Sequence, residues 1–435
     1  MPSPWIPRAA ARFVCGAAAL LAVLSASAVY GQKLVSVALK SSAENGLVEP
    51  GEPVAITATI VNRGGSHATV RVDWSVETVA FKPPPVKTVE LSVDAGESKS
   101  ISYESALATP GFATVVCAVT STNLAVDITR RFRFGCRPEK IAVPLTKQAD
   151  FDAFWRTSLD ALKKVDPEFQ VERRADRDME GIRVFEVTMK SLGGVRVRGW
   201  LETPASPGPH PVVLRVPGYG GNMRPVGKWK DMIVFSFNPR GHGNSQDDVP
   251  GKPVDYWIRG LDDKSTYYYR GAYLDCVRAV DFIASRQDAA RDRIAVWGGS
   301  QGGGFALATA ALDQRIDYCV ADIPFMCDWR NYFELTDWPE MNDWIADRED
   351  RTWKSTLRTL GYFDTLNLAE RIECSTIMSI GLQDRVCPPT TDFAVFNRID
   401  AKKTHKIYPT RGHGLGREHY DWVWRQLRTA FELDK

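Results

Sequence analysis

From Val54 to Val61 apolar and polar residues alternate as Val-Ala-Ile-Thr-Ala-Thr-Ile-Val, and the run stops at Asn62-Arg63-Gly64-Gly65. A period of two followed by a turn signal predicts a strand with one covered face. Comparable runs occupy 69–76, 86–91, 98–103, 113–119 and 125–134. Short strands at regular spacing, with no helical period among them, predict an all-β, immunoglobulin-like sandwich over 32–137. From about Pro144 the period changes: Phe151, Phe154, Trp155, Leu159 and Leu162 share one helical face. A β-rich stretch covers 182–203. Short apolar runs at 211–216, 232–237, 293–297, 318–321, 376–380 and 406–408 then alternate with helical segments, clearest at 272–285 and 303–312. This alternation predicts a mostly parallel sheet with both faces covered, so 138–435 reads as an α/β domain.

The N-terminus has its own pattern. Arg8 and Arg12 lead into an apolar run over 13–24, and small residues follow from Ser25 to Ala28. A basic head, a short apolar middle and an Ala-Ser-Ala exit predict a signal peptide over 1–31, cut after Ala28 or Gly31, and hence a secreted or periplasmic protein. That run is short for a membrane span, and no other segment is long and apolar enough to make one. Cys15 follows Val14 rather than a small residue, which argues against a lipoprotein site.

Composition narrows the partners. Of 435 residues 55 are basic and 53 acidic, a net charge of +2, with no block of Lys or Arg. That balance excludes nucleic acid as the expected partner. The cysteines outside the leader are widely spaced and match neither a zinc site nor a dense disulfide framework. Cys117 and Cys136 flank one hairpin-like region, and with an export signal a bridge between them is the candidate disulfide. The β region holds no catalytic constellation. Packing or spacing is its expected role, and carbohydrate binding is the sharper alternative.

The chemistry concentrates in the second region. Gly298-Gly299-Ser300-Gln301-Gly302 follows the apolar run Ile294-Ala295-Val296-Trp297 and precedes an Ala-rich helical segment. Strand, Gly-x-Ser-x-Gly and helix in that order form the nucleophile elbow of an α/β-hydrolase fold, in which a strained turn lifts the serine above the sheet. A serine hydroxyl needs a base, and in this fold an acid and then a histidine follow it in the chain. After Ser300 come His405, His413 and His419. His405 sits at the start of the last short strand, and His419 lies on the final helix, where it reads as a solvated residue. His413 follows the strand's carboxyl end, where catalytic side chains of open α/β sheets belong. Asp384 occupies the corresponding loop after 376–380, with Asp322 and Asp328 as second choices. For the oxyanion, the backbone amides of Gln301 and of Tyr219, in Gly218-Tyr219-Gly220-Gly221, are the expected donors. The aromatic stretch 325–353, with Trp329, Tyr332, Phe333, Trp338 and Trp344, reads as a cap over the site.

Gly299-Ser300-Gln301-Gly302-Gly303, Tyr267-Tyr268-Tyr269-Arg270, Arg240-Gly241 and the run from Asp384 to Pro389 together resemble the acetylxylan esterase and cephalosporin C deacetylase family, carbohydrate esterase family 7. The resemblance runs from about Pro144 to the C-terminus. It implies a serine esterase that releases acetate from acetylated sugars and small acetyl esters, without metal or other cofactor. It also implies Ser300, Asp384 and His413 as the triad, Tyr219 and Gln301 as oxyanion donors, and Arg240 with His242 as site-bracing residues. Two positions depart from its pattern: His242 stands for a Gln, and Gly414 for a Glu. The family often assembles into rings, so a homo-oligomer is implied, whereas the extra β region works against that packing. Two rivals remain, a peptidase of the same fold and a catalytically silent carbohydrate-binding relative. The absence of propeller repeats weakens the first. The ordered Ser, Asp and His weaken the second.

Overall fold

The computed structural model describes residues 34–77, 87–121, 123–249, 255–336 and 338–434; the expected leader lies outside them. Among the described residues no helix is long and apolar enough to cross a membrane.

Among the described residues the first region contains eight strands: β1 (Val35–Ser41), β2 (Leu47–Val48), β3 (Val54–Asn62), β4 (Ala68–Glu77), β5 (Lys87–Val93), β6 (Ser98–Ser105), β7 (Gly111–Ser121) and β8 (Asp127–Cys136). They form a three-stranded sheet, β1-β3-β6, and a five-stranded sheet, β2-β8-β7-β4-β5. The alternation read in β3 is an alternation in burial, with every second residue inside. Ile56 and Ile60 of one sheet meet Val72, Trp74, Val115 and Phe134 of the other in a single apolar core. Strands β1 and β2 were not picked out by the sequence pattern.

The expected disulfide does not form: Cys117 and Cys136 are both free and buried. In the β7–β8 register Cys117 faces Arg130, whereas Cys136 faces Gly111, six residues farther along β7. At roughly 3.3 Å per residue the two thiols are far beyond disulfide reach.

The second region begins with α1 (Phe151–Lys163) and continues as β9 (Gln170–Arg173), β10 (Ile182–Lys190), β11 (Arg196–Pro204), β12 (His210–Val216), β13 (Ile233–Asn238), α2 (Tyr268–Ser285), β14 (Ala289–Gly299), α3 (Gln301–Leu312) and β15 (Tyr318–Asp322). Next come α4 (Trp329–Leu335), α5 (Pro339–Ala346), α6 (Trp353–Leu360), α7 (Thr365–Leu368), β16 (Ser375–Gly381), α8 (Pro389–Arg398), β17 (Lys403–Tyr408) and α9 (Arg417–Ala430). One nine-stranded sheet runs β17-β16-β15-β14-β12-β13-β11-β10-β9. Strands β13, β12, β14, β15, β16 and β17 pair in parallel, and β13, β11, β10 and β9 continue antiparallel. Every residue of β13 is buried, as expected of a strand covered on both faces. One face packs against α2 and α3 through Leu214, Val296, Phe305 and Leu307. The other packs against α9 through Val213, Trp297, Val423, Trp424 and Leu427.

The two regions meet at a dense seam. Phe112 of β7 is buried with the second region's core, its ring 5.9 Å from that of Phe393 on α8. Just past the boundary, Asn397 of α8 donates to the carbonyls of Pro138, at 2.9 Å, and Ile141, at 2.8 Å, and so anchors the start of the second region. Arg133 of β8 meets the loop after β16, which carries Asp384.

Candidate active site

Ser300 links β14 to α3 with φ 58° and ψ −122°, a strained conformation for a residue with a side chain. Its neighbours explain how the strain is held. A Cβ on Gly298 would lie 2.4 Å from the carbonyl oxygen of Gly302, and one on Gly302 would lie 2.6 Å from that of Val216. Only glycine lets strand, turn and helix approach this closely. The Ser300 amide donates to the Asp322 carbonyl at 2.9 Å, which ties the turn to β15. Gln301 is the first residue of α3, so its amide has no acceptor within the helix and faces the same end as the serine.

His413 lies beyond the end of β17, and its Nε2 is 2.9 Å from Ser300 Oγ. Its Nδ1 is 2.7 Å from Asp384 Oδ2. Asp384 is fully buried, and its other oxygen accepts from the amides of Val386 at 2.8 Å and Cys387 at 3.0 Å. Those two donors leave one oxygen free for the imidazole and fix the carboxylate's orientation. Asp384, Cys387 and His413 bring a ligand atom each within 4.8 Å of one another. Their chemistry does not suit a metal, because the carboxylate and imidazole are bonded to each other and burial pushes the Cys387 thiol well above its usual pKa.

The serine opens into a cavity of about 580 Å³ lined by Gly218, Tyr219, Ser300, Phe325, Trp338 and His413, among others. Of the five cap aromatics named from the sequence, Tyr332 and Trp338 line it. Trp329 is buried, with Phe333 stacked on it at 5.5 Å, and Trp344 lies under the Arg351 guanidinium at 3.9 Å. Those three serve the packing of the cap.

Beneath the turn that carries Ser300 is a hydrogen-bonded chain. Tyr269 Oη donates to Gln301 Oε1 at 3.0 Å, and Gln301 Nε2 lies 2.9 Å from His242 Nε2. His242 Nδ1 lies 3.2 Å from Tyr268 Oη, which donates to the Arg240 carbonyl at 2.7 Å. The amide can only donate, so His242 accepts at Nε2 and carries its proton on Nδ1. Burial, opposed by weaker favourable contacts, lowers its pKa to about 4. His242 therefore faces Gln301 as a neutral ring. Arg240, whose carbonyl ends this chain, holds Asp275 by its backbone amide at 2.9 Å and by a fork at 2.8 Å on each oxygen.

The family model described as acetyl xylan esterase (AXE1) matches residues 142–427. The chain belongs to that family. The acetyl esterase Axe7A of Xylanibacter ruminicola is 32% identical over 317 residues, covering 68% of this chain and 71% of its own length. The acetyl xylan esterase from Paenibacillus sp. R4 is 33% identical with a TM-score of 0.61, covering 67% of this chain and 98% of its own. Acetyl xylan esterase 1 from Thermoanaerobacterium sp. JW/SL YS485 is 30% identical with a TM-score of 0.62, covering 69% and 98%. Membership makes the chain a carboxylic ester hydrolase of the carbohydrate-esterase kind with an α/β-hydrolase fold.

Within this acetyl xylan esterase framework several placements differ from those read in the sequence. Asp322, a second choice for the acid, accepts from Trp297 Nε1 at 2.7 Å and lies 2.9 Å from His419 Nε2. His419 is thus buried rather than solvated, with Nδ1 2.8 Å from Tyr408 Oη. Asp328, the other second choice, precedes α4, and its amide donates to Asp364 at 2.8 Å. Neither carboxylate reaches His413. Gly414 has no side chain to brace the loop, and a Cβ there would meet nothing within 4 Å.

The bracing comes from residues the sequence did not single out. Gln383 donates its amide to the Arg411 carbonyl at 2.9 Å and its side chain to the Pro409 carbonyl at 2.7 Å, joining the acid loop to the histidine loop. The same side chain pairs with the Arg133 backbone, accepting at 2.7 Å and donating at 2.9 Å. The Arg133 guanidinium donates to the carbonyls of Asp384 and Leu382. A span of 250 residues separates Arg133 from Gln383, and no local pattern announces the contact.

Proposed function

We propose that this protein removes acetyl groups from acetylated carbohydrates through a Ser300–His413–Asp384 acyl-enzyme mechanism. The observation that carries the reading is the pair of contacts from one imidazole, 2.9 Å to Ser300 Oγ and 2.7 Å to Asp384, at the edge of a cavity. Ser300 Oγ attacks the ester carbonyl while His413 Nε2 takes its proton. Asp384 accepts from Nδ1–H, which fixes the reactive tautomer and balances the imidazolium. The developing oxyanion lies between the amides of Tyr219 and Gln301. Loss of one such donor costs on the order of 10²–10³ in turnover. The tetrahedral intermediate expels the sugar alkoxide, His413 protonates it, and acetyl-Ser300 remains. Water repeats the sequence and frees acetate. Phe325, Tyr332 and Trp338 line the cavity, and their bulk suits a short acyl group. The basic-apolar-small leader pattern supports export to the periplasm or beyond.

Acetate release from acetylated xylan by wild type and by Ser300→Ala tests the reading. The variant should lose at least about 10³ in kcat with its fold intact by circular dichroism. Activity surviving at the wild-type level would remove the nucleophile. A p-nitrophenyl ester series should show turnover falling from acetate to octanoate, and a chromogenic peptide should remain uncut. Peptide cleavage would favour the peptidase alternative, and inertness to every ester would favour a silent carbohydrate-binding relative.

A further inference from the structure

A second concavity, of about 460 Å³, opens beside the acyl cavity. Thr336 and Trp338 of the cap line it together with Glu77, Thr114 and Arg131 of the β region. Gln383, Arg385 and Val386 of the acid loop line it as well. Tyr332, Trp338 and Val386 line both spaces, so the two adjoin at these three side chains.

The chemistry gives the groove a direction. The group that returns a proton to the leaving oxygen must lie beside that oxygen, so the alcohol half of the ester leaves on the His413 side. His413 is bonded to Asp384, and Arg385 and Val386 follow Asp384 on the same loop. The alcohol half therefore departs towards the loop whose residues line the groove. The groove's lining suits a polyhydroxylated chain. It offers guanidinium, carboxylate and hydroxyl groups, together with the half-buried Trp338, which stacks on Trp257 at 4.2 Å. Arg131 and Glu77 are 3.4 Å apart and both exposed, so each keeps donors or acceptors for a ligand. An alkyl chain laid there would leave these polar groups unpaired, which costs affinity.

We propose that the groove is a glycan subsite, holding the sugar residues that continue from the esterified one, with the β region lining part of the substrate cleft. The proposal rests on the carbohydrate-deacetylase reading above. It makes the β region part of substrate recognition and predicts a preference for oligosaccharides over single sugars.

The test compares wild type with the double variant Glu77→Ala/Arg131→Ala on p-nitrophenyl acetate, acetylated xylose and acetylated xylotetraose. Wild type should favour the tetraose over xylose in kcat/KM. The variant should raise KM for the tetraose about tenfold, the loss of one or two hydrogen bonds, while its kcat/KM on p-nitrophenyl acetate stays within about twofold of wild type. A wild type with no gain from chain length, or a variant that handles the tetraose as wild type does, would overturn the subsite and leave the deacetylase reading standing. A wild type that cleaves p-nitrophenyl acetate but neither sugar ester would remove the deacetylase reading and this subsite with it.

Discussion

His242 shows how one buried side chain links stability to the site. Its ring accepts from Gln301 at 2.9 Å, and burial lowers its pKa to about 4 from the usual 6.5. The unfolded chain takes up that proton at a higher pH than the folded chain does. The contribution of neutral His242 is therefore complete above about pH 6.5 and is lost as pH falls towards about 4. In urea unfolding at about pH 7 and about pH 4, wild type should lose more stability than His242→Gln, whose amide can still bond Gln301 and carries no proton to gain. Parallel losses in the two proteins would show that the ring does not titrate in this way. The same substitution should keep most of the esterase activity, because the Gln301 side chain retains a partner.

At the level of elements, the loops after β16 and β17 place Asp384 and His413, and Gln383 with Arg133 fastens them together. Burial holds the Arg133 guanidinium below its usual pKa, with the charge of Asp384 opposing that shift. Arg133→Met keeps much of the apolar stem and removes the donors to the Leu382 and Asp384 carbonyls. A charge-assisted hydrogen bond is worth about 1.5–3 kcal/mol, and each 1.36 kcal/mol in the barrier is about tenfold in rate. Steady-state kinetics on p-nitrophenyl acetate should therefore show kcat lower by about ten- to a hundredfold with KM little changed, and Arg133→Lys should recover part of it. A change confined to KM would place Arg133 in binding rather than in positioning the acid.

On the scale of the whole molecule, the β region is built into the hydrolase rather than appended to it. Phe112 is its deepest link, 7% exposed and packed with the second region's core. Phe112→Ala should cost about 3–5 kcal/mol by the usual cavity penalty, read as a lower denaturant midpoint. Because Phe393, its partner, lies on the helix that directly follows the acid loop, the variant should also lose activity at temperatures where the fold is still intact. Full stability in this variant would show that the seam contributes little.

The local geometry of the candidate site was legible in the chain itself. A nucleophile turn needs glycines where backbones touch, and those needs are met within five residues, so Gly298, Ser300 and Gly302 stand out without coordinates. The order Ser, Asp, His and the position of each after a short apolar run likewise named the three side chains that converge, because strand order governs which loops share an edge. Periods of two and of 3.6 separated the two regions for the same reason: burial on one face leaves a local trace. The docking of one region on the other leaves none. Arg133 and Gln383 meet across 250 residues, and nothing near either predicts it. The same limit explains the errors. Cys117 and Cys136 looked like a pair until the β7–β8 register set them apart, His419 looked solvated until the docking of α9 on the sheet buried it, and cap aromatics of similar spacing were sorted into lining and packing only by the way α4 and α5 settle over the sheet. Which loop leans on which sheet is decided by the sum of many distant contacts, and only the folded chain adds them up.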